Sequence, residues 1–407
     1  MKSESTLVIV GGGLAGARAA EAARIGGYQG RVVIAGEERF SPYERPPLSK
    51  AVLRGEAGIE STSVHDAAFY SEHAIELLTG TSVVGIDAKS RSVNFSDGPA
   101  IGFDTLILAT GAMPRRLDIP GADLAGVHYL RTADDAVSLR AAIKNATRVA
   151  IIGAGWIGSE VAASARSMGA DVVLIGSGPF PLYNVLGSKI GVVFQQLHAD
   201  HGIELRLGVQ VVELRGNGSV EQVVLSDGRI EHADVVVVGV GAAPRIELAA
   251  VAGLKVENGI LVDEFLETSV PGIFAAGDIA NAWHPHYQRH LRLEHWANAR
   301  YQGTTAGNNA TGKHEAYDRL PYFYSDQFDV NLEYVGHAQP DDEVVIRGDL
   351  DQRKFVAMYH REGVVSAALT VNVAKVFKDL RVIMTQAKPM DLHALADPGI
   401  PFGDLIR

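Results

Sequence analysis

Gly11, Gly13 and Gly16 stand directly after the apolar run Leu7-Val8-Ile9-Val10 and directly before an alanine-rich stretch reaching Ala23. Strand, glycine turn and helix in that order is the arrangement that cradles a dinucleotide pyrophosphate. Gly11 permits the tight turn, Gly13 lets the backbone approach the phosphates, and Gly16 lets the helix pack on the strand. The helix N-terminus adds free N–H groups and a partial positive charge. A second apolar strand, Arg31 to Ala35, is followed by Glu37, a carboxylate about twenty residues beyond Gly16, where a ribose hydroxyl is received. The pattern then recurs in VAIIGAGWIG, with Gly153, Gly155 and Gly158 at the same spacing, a helical stretch from Ser159 to Met168 and a strand from Asp171 to Ile175. An internal recurrence of the whole unit means two dinucleotide sites.

The elements that must hold these turns are ordinary for a globular chain. With 407 residues, two or three domains are expected, and 47% apolar residues supply their cores. The absence of cysteine excludes disulfides, thiolate metal ligands and a redox-active dithiol, and no metal site is expected. A net charge of −11 argues against a nucleic-acid partner. Met1-Lys2 leads straight towards the first strand, and no apolar run reaches the length of a membrane span. The expectation is a soluble, cytoplasmic α/β protein.

Between the two glycine turns lies FSPYERPPLSK, Phe40 to Lys50, whose prolines forbid a regular helix or a central strand and predict an ordered loop. Strands are expected over Leu77–Asp87, Arg91–Phe95 and Phe103–Gly111, the last ending in a glycine turn, and an amphipathic helix over Thr132–Ala146. Beyond the second glycine turn a helix is expected over Val192–His201, then strands through Asp234–Val240. Next comes a strand ending at Gly277-Asp278, a loop rich in histidine and arginine, and a helix over Ala297–Asn308. From Leu320 the pattern changes to strand pairs, with a helix over Phe377–Gln386.

Longer motifs accompany the glycine turns: PYERPPLSK, ATG at Ala109–Gly111, GAGWIGSE at Gly153–Glu160, GVGAAP at Gly239–Pro244, AAGD at Ala275–Asp278, EHWANA at Glu294–Ala299 and FYSDQ at Phe323–Gln327. Taken together they resemble the FAD-dependent ferredoxin reductases of oxygenase systems, over nearly the entire length. The resemblance implies an α/β fold of the glutathione-reductase type, with two Rossmann-like dinucleotide-binding domains and an α+β C-terminal interface domain. Residues 1–113 and 241–319 would form the FAD domain, 114–240 the NAD(P) domain and 320–407 the interface domain. It further implies non-covalent FAD, with Gly11, Gly13, Ala15 and Gly16 at its pyrophosphate and Glu37 at its ribose. Lys50, Val83, Thr110, Gly111, Arg131, Asp278 and Trp296 would line the rest of that site. Gly153, Gly155, Trp156, Ile157, Gly158, Glu160 and Gly241 would hold NADH or NADPH. Lys50 and Glu160 are implied as the catalytic ion pair, Glu160 approaching the nicotinamide carboxamide and Lys50 the flavin. The implied reaction carries hydride from NAD(P)H, NADH favoured, to FAD and single electrons to a small acidic iron–sulfur ferredoxin that feeds an oxygenase. A monomer or weak dimer is implied.

Two departures stand against that pattern. The strand ending at Ile175 is followed by Gly176-Ser177-Gly178-Pro179-Phe180, with neither an acid for an NAD ribose nor an arginine for a 2′-phosphate. With Gly176 taken as the ribose position, Gly176→Glu would favour NADH. The residues flanking Phe323 are Tyr322 and Tyr324, where the family carries tryptophans. Two other readings stay open: a cysteine-independent reductase of the monodehydroascorbate type, and a non-enzymatic flavoprotein with a decayed nicotinamide site. Arg289, Arg292 and Arg300, with His284, His286, His290 and His295, are the expected docking face for an acidic ferredoxin.

Overall fold

A computed structural model describes residues 5–339 and 341–406. They divide into two compact units, one drawn from Met1–Arg45, Ile59–Met113 and Ala242–Pro321, the other from Pro46–Gly58, Pro114–Gly241 and Tyr322–Arg407. The proline-rich segment and the C-terminal strands therefore share a unit with the second glycine turn.

In the first unit five parallel strands run in the spatial order Ile273–Ala275, Thr105–Leu108, Thr6–Val10, Arg31–Ala35, Ile75–Leu78. The first glycine turn leaves the middle strand. Leu7, Val8 and Ile9 are fully buried, as expected of a strand covered on both faces. Helix Leu14–Ile25 lies unusually close to helix Trp296–Ala310. A Cβ on Gly303 would meet the Ala15 carbonyl at 2.3 Å, and one on Gly307 the Ala19 carbonyl at 2.2 Å. Small residues four apart thus let two backbones touch.

The second unit repeats the plan. Its parallel sheet runs Glu204–Leu207, Asp171–Gly176, Arg148–Ile152, Val235–Val238, Val127–Tyr129, again with the glycine-turn strand in the middle. A separate antiparallel sheet in the order Tyr322–Gln327, Val330–Gly336, Val364–Val371, Lys354–Arg361, Glu343–Asp349 carries the C-terminal region. It packs through Phe323, Leu332, Tyr334 and Leu369 against Leu186, Ile190 and Phe194 of the helix Tyr183–Asp200.

Several expectations need correcting. The stretch Leu77–Asp87 is two strands, Ile75–Leu78 and Val83–Asp87, because Gly80 adopts a positive φ between them. The helix expected over Val192–His201 begins at Tyr183, with a break at Gly187 where φ is 73°. The loop Phe40–Lys50 is, as expected, neither a regular helix nor a central strand, and it closes in a 3-10 turn, Pro46–Ser49, which proline tolerates at its start. The histidine-rich loop is a hairpin, Ala280–His284 paired with Arg289–Leu291. No helix among the described residues is long and apolar enough to cross a membrane.

Candidate active site

Both glycine turns are shaped by contacts that no other residue allows. A Cβ on Gly11 would meet the Ala109 carbonyl at 2.1 Å, and one on Gly153 the Gly239 carbonyl at 2.3 Å, and both glycines have positive φ. Gly16 and Gly158 press on the carbonyls of Gly11 and Gly153 in the same way. The middle glycines differ: a Cβ on Gly13 or Gly155 would meet nothing within 4 Å. That open space lies where a pyrophosphate needs to approach the backbone.

The helices that leave these turns, Leu14–Ile25 and Trp156–Ser167, have no side-chain cap and no acidic residue in the first turn. By contrast Thr132 and Asp135 form a complete capping box on the helix Ala133–Asn145. N-terminal N–H groups left without a cap are donors available to an anion.

In the first unit Glu37 is held by Arg245, whose Nη2 donates to Oε2 at 2.8 Å while Nη1 contacts Oε1. This contact holds the Glu37 carboxyl below the usual carboxylate range. Arg245 does not stand out in the sequence; its only signal is its place directly after GVGAAP. Its backbone N–H donates to the Gly111 carbonyl at 3.1 Å, and its carbonyl receives the Thr110 hydroxyl at 3.3 Å. One residue thereby joins three expected site positions. Asp278 lies in the short turn Gly277–Ile279, where the buried Gln302 amide oxygen accepts the Gly277 N–H at 2.9 Å. Trp296 opens its helix, 5.3 Å beneath the Arg300 guanidinium. Val83 starts its own strand in this unit, whereas Lys50 and Arg131 belong to the second.

The second unit assembles residues far apart in sequence. Lys50 Nζ lies 2.7 Å from Glu160 Oε2, with the two side chains 12% and 5% exposed. Ser49 donates to the same oxygen at 2.5 Å, and Ser325 donates to Oε1 at 2.7 Å. The chain continues through Gln327, whose Nε2 donates to Ser325 at 3.2 Å, to His198, whose Nε2 lies 3.1 Å from Gln327 Oε1. Ser164, one turn beyond Glu160 on the same helix, donates to the Ser49 carbonyl at 2.6 Å and fixes the proline turn that presents Lys50. A carboxylate offers about four acceptor positions. Three are taken here, which leaves one on Oε1 for a ligand N–H. Lys50 also borders a cleft of about 400 Å³ lined by Pro46, Arg54, Ser164, Tyr324 and Phe328.

Other expected ligands of the second turn divide. Ile157 is 46% exposed, while Trp156 packs edge-on against Phe323 with centroids 4.7 Å apart. Gly241, at φ 104°, lies beside the Arg115 side chain. The pairing of the two sheets aligns the residues that follow their second strands. Val10 pairs with Ala35 and Ile152 with Ile175, so Gly36 corresponds to Gly176, and Glu37 to Ser177. A Cβ on Gly176 would come within 2.8 Å of the Ala154 Cβ, as one on Gly36 would approach Gly12 at 3.0 Å. Ser177, not Gly176, is the counterpart of Glu37. The expected docking face also shrinks. His284 is buried with Nε2 at the Arg319 carbonyl, and Arg292 is bonded to Glu294 and the Asp278 carbonyl.

Residues 5–303 match the pyridine nucleotide-disulphide oxidoreductase model, and residues 322–406 match the reductase C-terminal model. The chain belongs to the pyridine nucleotide-disulphide oxidoreductase family. It is 41% identical to rhodocoxin reductase of Rhodococcus erythropolis over 86% of this chain and 82% of that protein. The solved ferredoxin reductase for the CYP199A2 system from Rhodopseudomonas palustris superimposes with a TM-score of 0.96 at 37% identity, covering 99% of this chain and 100% of that one. The reductase in the covalent putidaredoxin reductase–putidaredoxin complex does so at 0.95 and 35%, covering 100% and 99%. This member of the family is an oxidoreductase that uses FAD and NAD(P)H. The open middle glycines and uncapped helix ends fit two dinucleotides. The family name notwithstanding, the chain has no cysteine with which to reduce a disulfide.

Proposed function

We propose that this protein is a cytoplasmic ferredoxin reductase of an oxygenase system, taking electrons from NAD(P)H and delivering them singly to a small iron–sulfur ferredoxin. The observation that carries this reading is the buried Lys50–Glu160 pair in a cysteine-free chain. Lys50, presented beside a cleft by the proline turn, is paired with Glu160 on the helix that leaves the second glycine turn, with no thiol to take electrons in pairs. FAD, when bound, supplies the exchange between two-electron and one-electron chemistry. The free acceptor position on Glu160 Oε1 would take an N–H of the nicotinamide carboxamide and so orient the ring. The Lys50 ammonium would supply positive charge where negative charge builds during hydride transfer. Gly11, Gly13, Ala15 and Gly16 would hold the FAD pyrophosphate, and Glu37 the adenosine ribose.

The protein should purify yellow with non-covalent FAD. Anaerobic NADH should bleach it, and a [2Fe–2S] ferredoxin should then reoxidise it one electron at a time. Folded protein that neither holds nor rebinds FAD ends this reading. Reduction of ascorbate radical with no ferredoxin activity would replace it with the monodehydroascorbate type.

Arg245 gives a separate prediction. Two acceptor positions of Glu37 are engaged by the guanidinium, leaving two for ribose hydroxyls. Arg245→Met removes a charge-assisted contact worth about 1.5–3 kcal/mol. If that contact orients Glu37 for the ribose, the FAD dissociation constant should rise roughly ten- to a hundredfold. An unchanged constant, read by fluorescence on rebinding, leaves Arg245 without a part in FAD binding.

A further inference from the structure

The two glycine-turn sheets share one register but diverge in chemistry just past their second strands. The first ends in Glu37 clasped by Arg245, an arrangement built on charge. In the second, the corresponding residue is Ser177, exposed and neutral. From Gly176 to Ser188 the chain contains no Asp, Glu, Lys or Arg. The next cation, Lys189, reaches the Val344 carbonyl at 3.5 Å.

This end of the sheet instead presents apolar side chains. Ile157, Tyr183, Val185 and Val240 are 46%, 39%, 41% and 39% exposed. All four come after the carboxyl ends of the parallel strands Arg148–Ile152, Asp171–Gly176 and Val235–Val238, the edge at which open α/β sheets bind ligands. Tyr183 is held there by the backbone. Leu182 takes up a left-handed conformation, φ 59°, and its N–H donates to the Ala154 carbonyl inside the glycine turn at 2.8 Å. The Tyr183 Cβ lies 3.5 Å, and its Cδ1 3.8 Å, from where a Cβ on Gly178 would stand, one residue past Ser177. A non-glycine residue in that conformation carries a backbone cost, and here it sets an aromatic ring beside Gly178.

We infer that the adenosine half of the nicotinamide dinucleotide is recognised without charge, its ribose at Ser177 and its adenine stacked on Tyr183, so that NADH and NADPH are accepted with little discrimination. This rests on the reductase reading for the identity of the ligand. A 2′-phosphate meets no carboxylate that repels it and no guanidinium that clamps it in this segment. Affinity then comes from stacking, which does not see the phosphate.

The test is calorimetric binding of NAD⁺, NADP⁺ and nicotinamide mononucleotide, which lacks adenosine, to the FAD-loaded protein. Wild type should bind NAD⁺ and NADP⁺ within about fivefold of each other. Tyr183→Ala should weaken both by roughly tenfold, the loss of one aromatic–base stack, and leave the mononucleotide unchanged. Tyr183→Phe should restore both. Ser177→Glu should weaken NADP⁺ at least tenfold relative to NAD⁺, through like-charge repulsion. A wild-type preference beyond about a hundredfold, or a Tyr183→Ala effect that is absent or shared by the mononucleotide, overturns the inference. Its fate is separable from that of the reductase reading. Binding as expected with no electron delivery to ferredoxin would sink the latter and leave the former standing.

Discussion

Lys50→Gln is expected to slow reduction of the bound flavin by NADH roughly a hundredfold, corresponding to about 3 kcal/mol for one preorganised electrostatic contact. The cause is local. Lys50 Nζ and Glu160 Oε2 are 2.7 Å apart and almost wholly buried, so the ammonium is held in place before any substrate arrives. Removing the ammonium leaves a buried carboxylate without its cationic partner, beside the Ser49 and Ser325 hydroxyls. Breaking a buried pair in this way also destabilises the fold by about 3–5 kcal/mol. Two measurements separate the effects: stopped-flow reduction at saturating NADH and the melting temperature. A lower melting temperature with a reduction rate within twofold of wild type would make Lys50 a structural residue and nothing more. Ser325→Ala should act more mildly, raising KM for NADH more than it lowers kcat, because it loosens Glu160 without removing charge. Ser325→Thr should restore the wild-type KM.

Acid should weaken the second unit through His198. Its side chain is fully buried, bonded through Nε2 to Gln327, and burial pushes its pKa down to about 4. An unfolded histidine titrates near 6.5. Between those values the unfolded chain binds a proton that the folded chain refuses, so stability falls as pH falls. The contribution is fully present above about pH 6.5, is lost progressively towards pH 4, and amounts to on the order of 3 kcal/mol across that window. Neighbouring His201 opposes the charged form, and Gln327 favours it. His198→Gln keeps a side-chain donor for Gln327 and removes the titration. Urea midpoints at pH 7 and pH 4.5 should therefore drop less in the variant than in wild type. Equal drops would show that His198 titrates as it does in water.

Much of this protein can be read in its primary structure because the governing physics is local. A glycine turn between an apolar strand and a helix depends on neighbours along the chain, so Gly11–Gly16 and Gly153–Gly158 announce themselves. The same holds for the apolar strands that become the two parallel sheets, and for the helix Phe377–Gln386. The oxidoreductase class can be inferred from these motifs taken together.

The site itself is non-local. Glu160 collects donors from Ser49 and Ser325, which are 111 and 165 positions away, and Arg245 reaches Glu37 across 208. No periodicity encodes such partners, because they meet only when separate layers pack. Register mattered as much. Counting from the strand end points to Gly176 as the ribose residue, whereas the paired backbone sets Gly176 against Ala154 and makes Ser177 the counterpart of Glu37. Alternate residues of a strand face opposite sides, so a one-residue difference changes which side chain a ligand meets. His198 reads as one more polar residue on a helix until the antiparallel sheet covers it with Gln327. Chain order specifies which residues can turn, pair and pack, while burial and partnership, on which their chemistry depends, arise only when distant segments close over them.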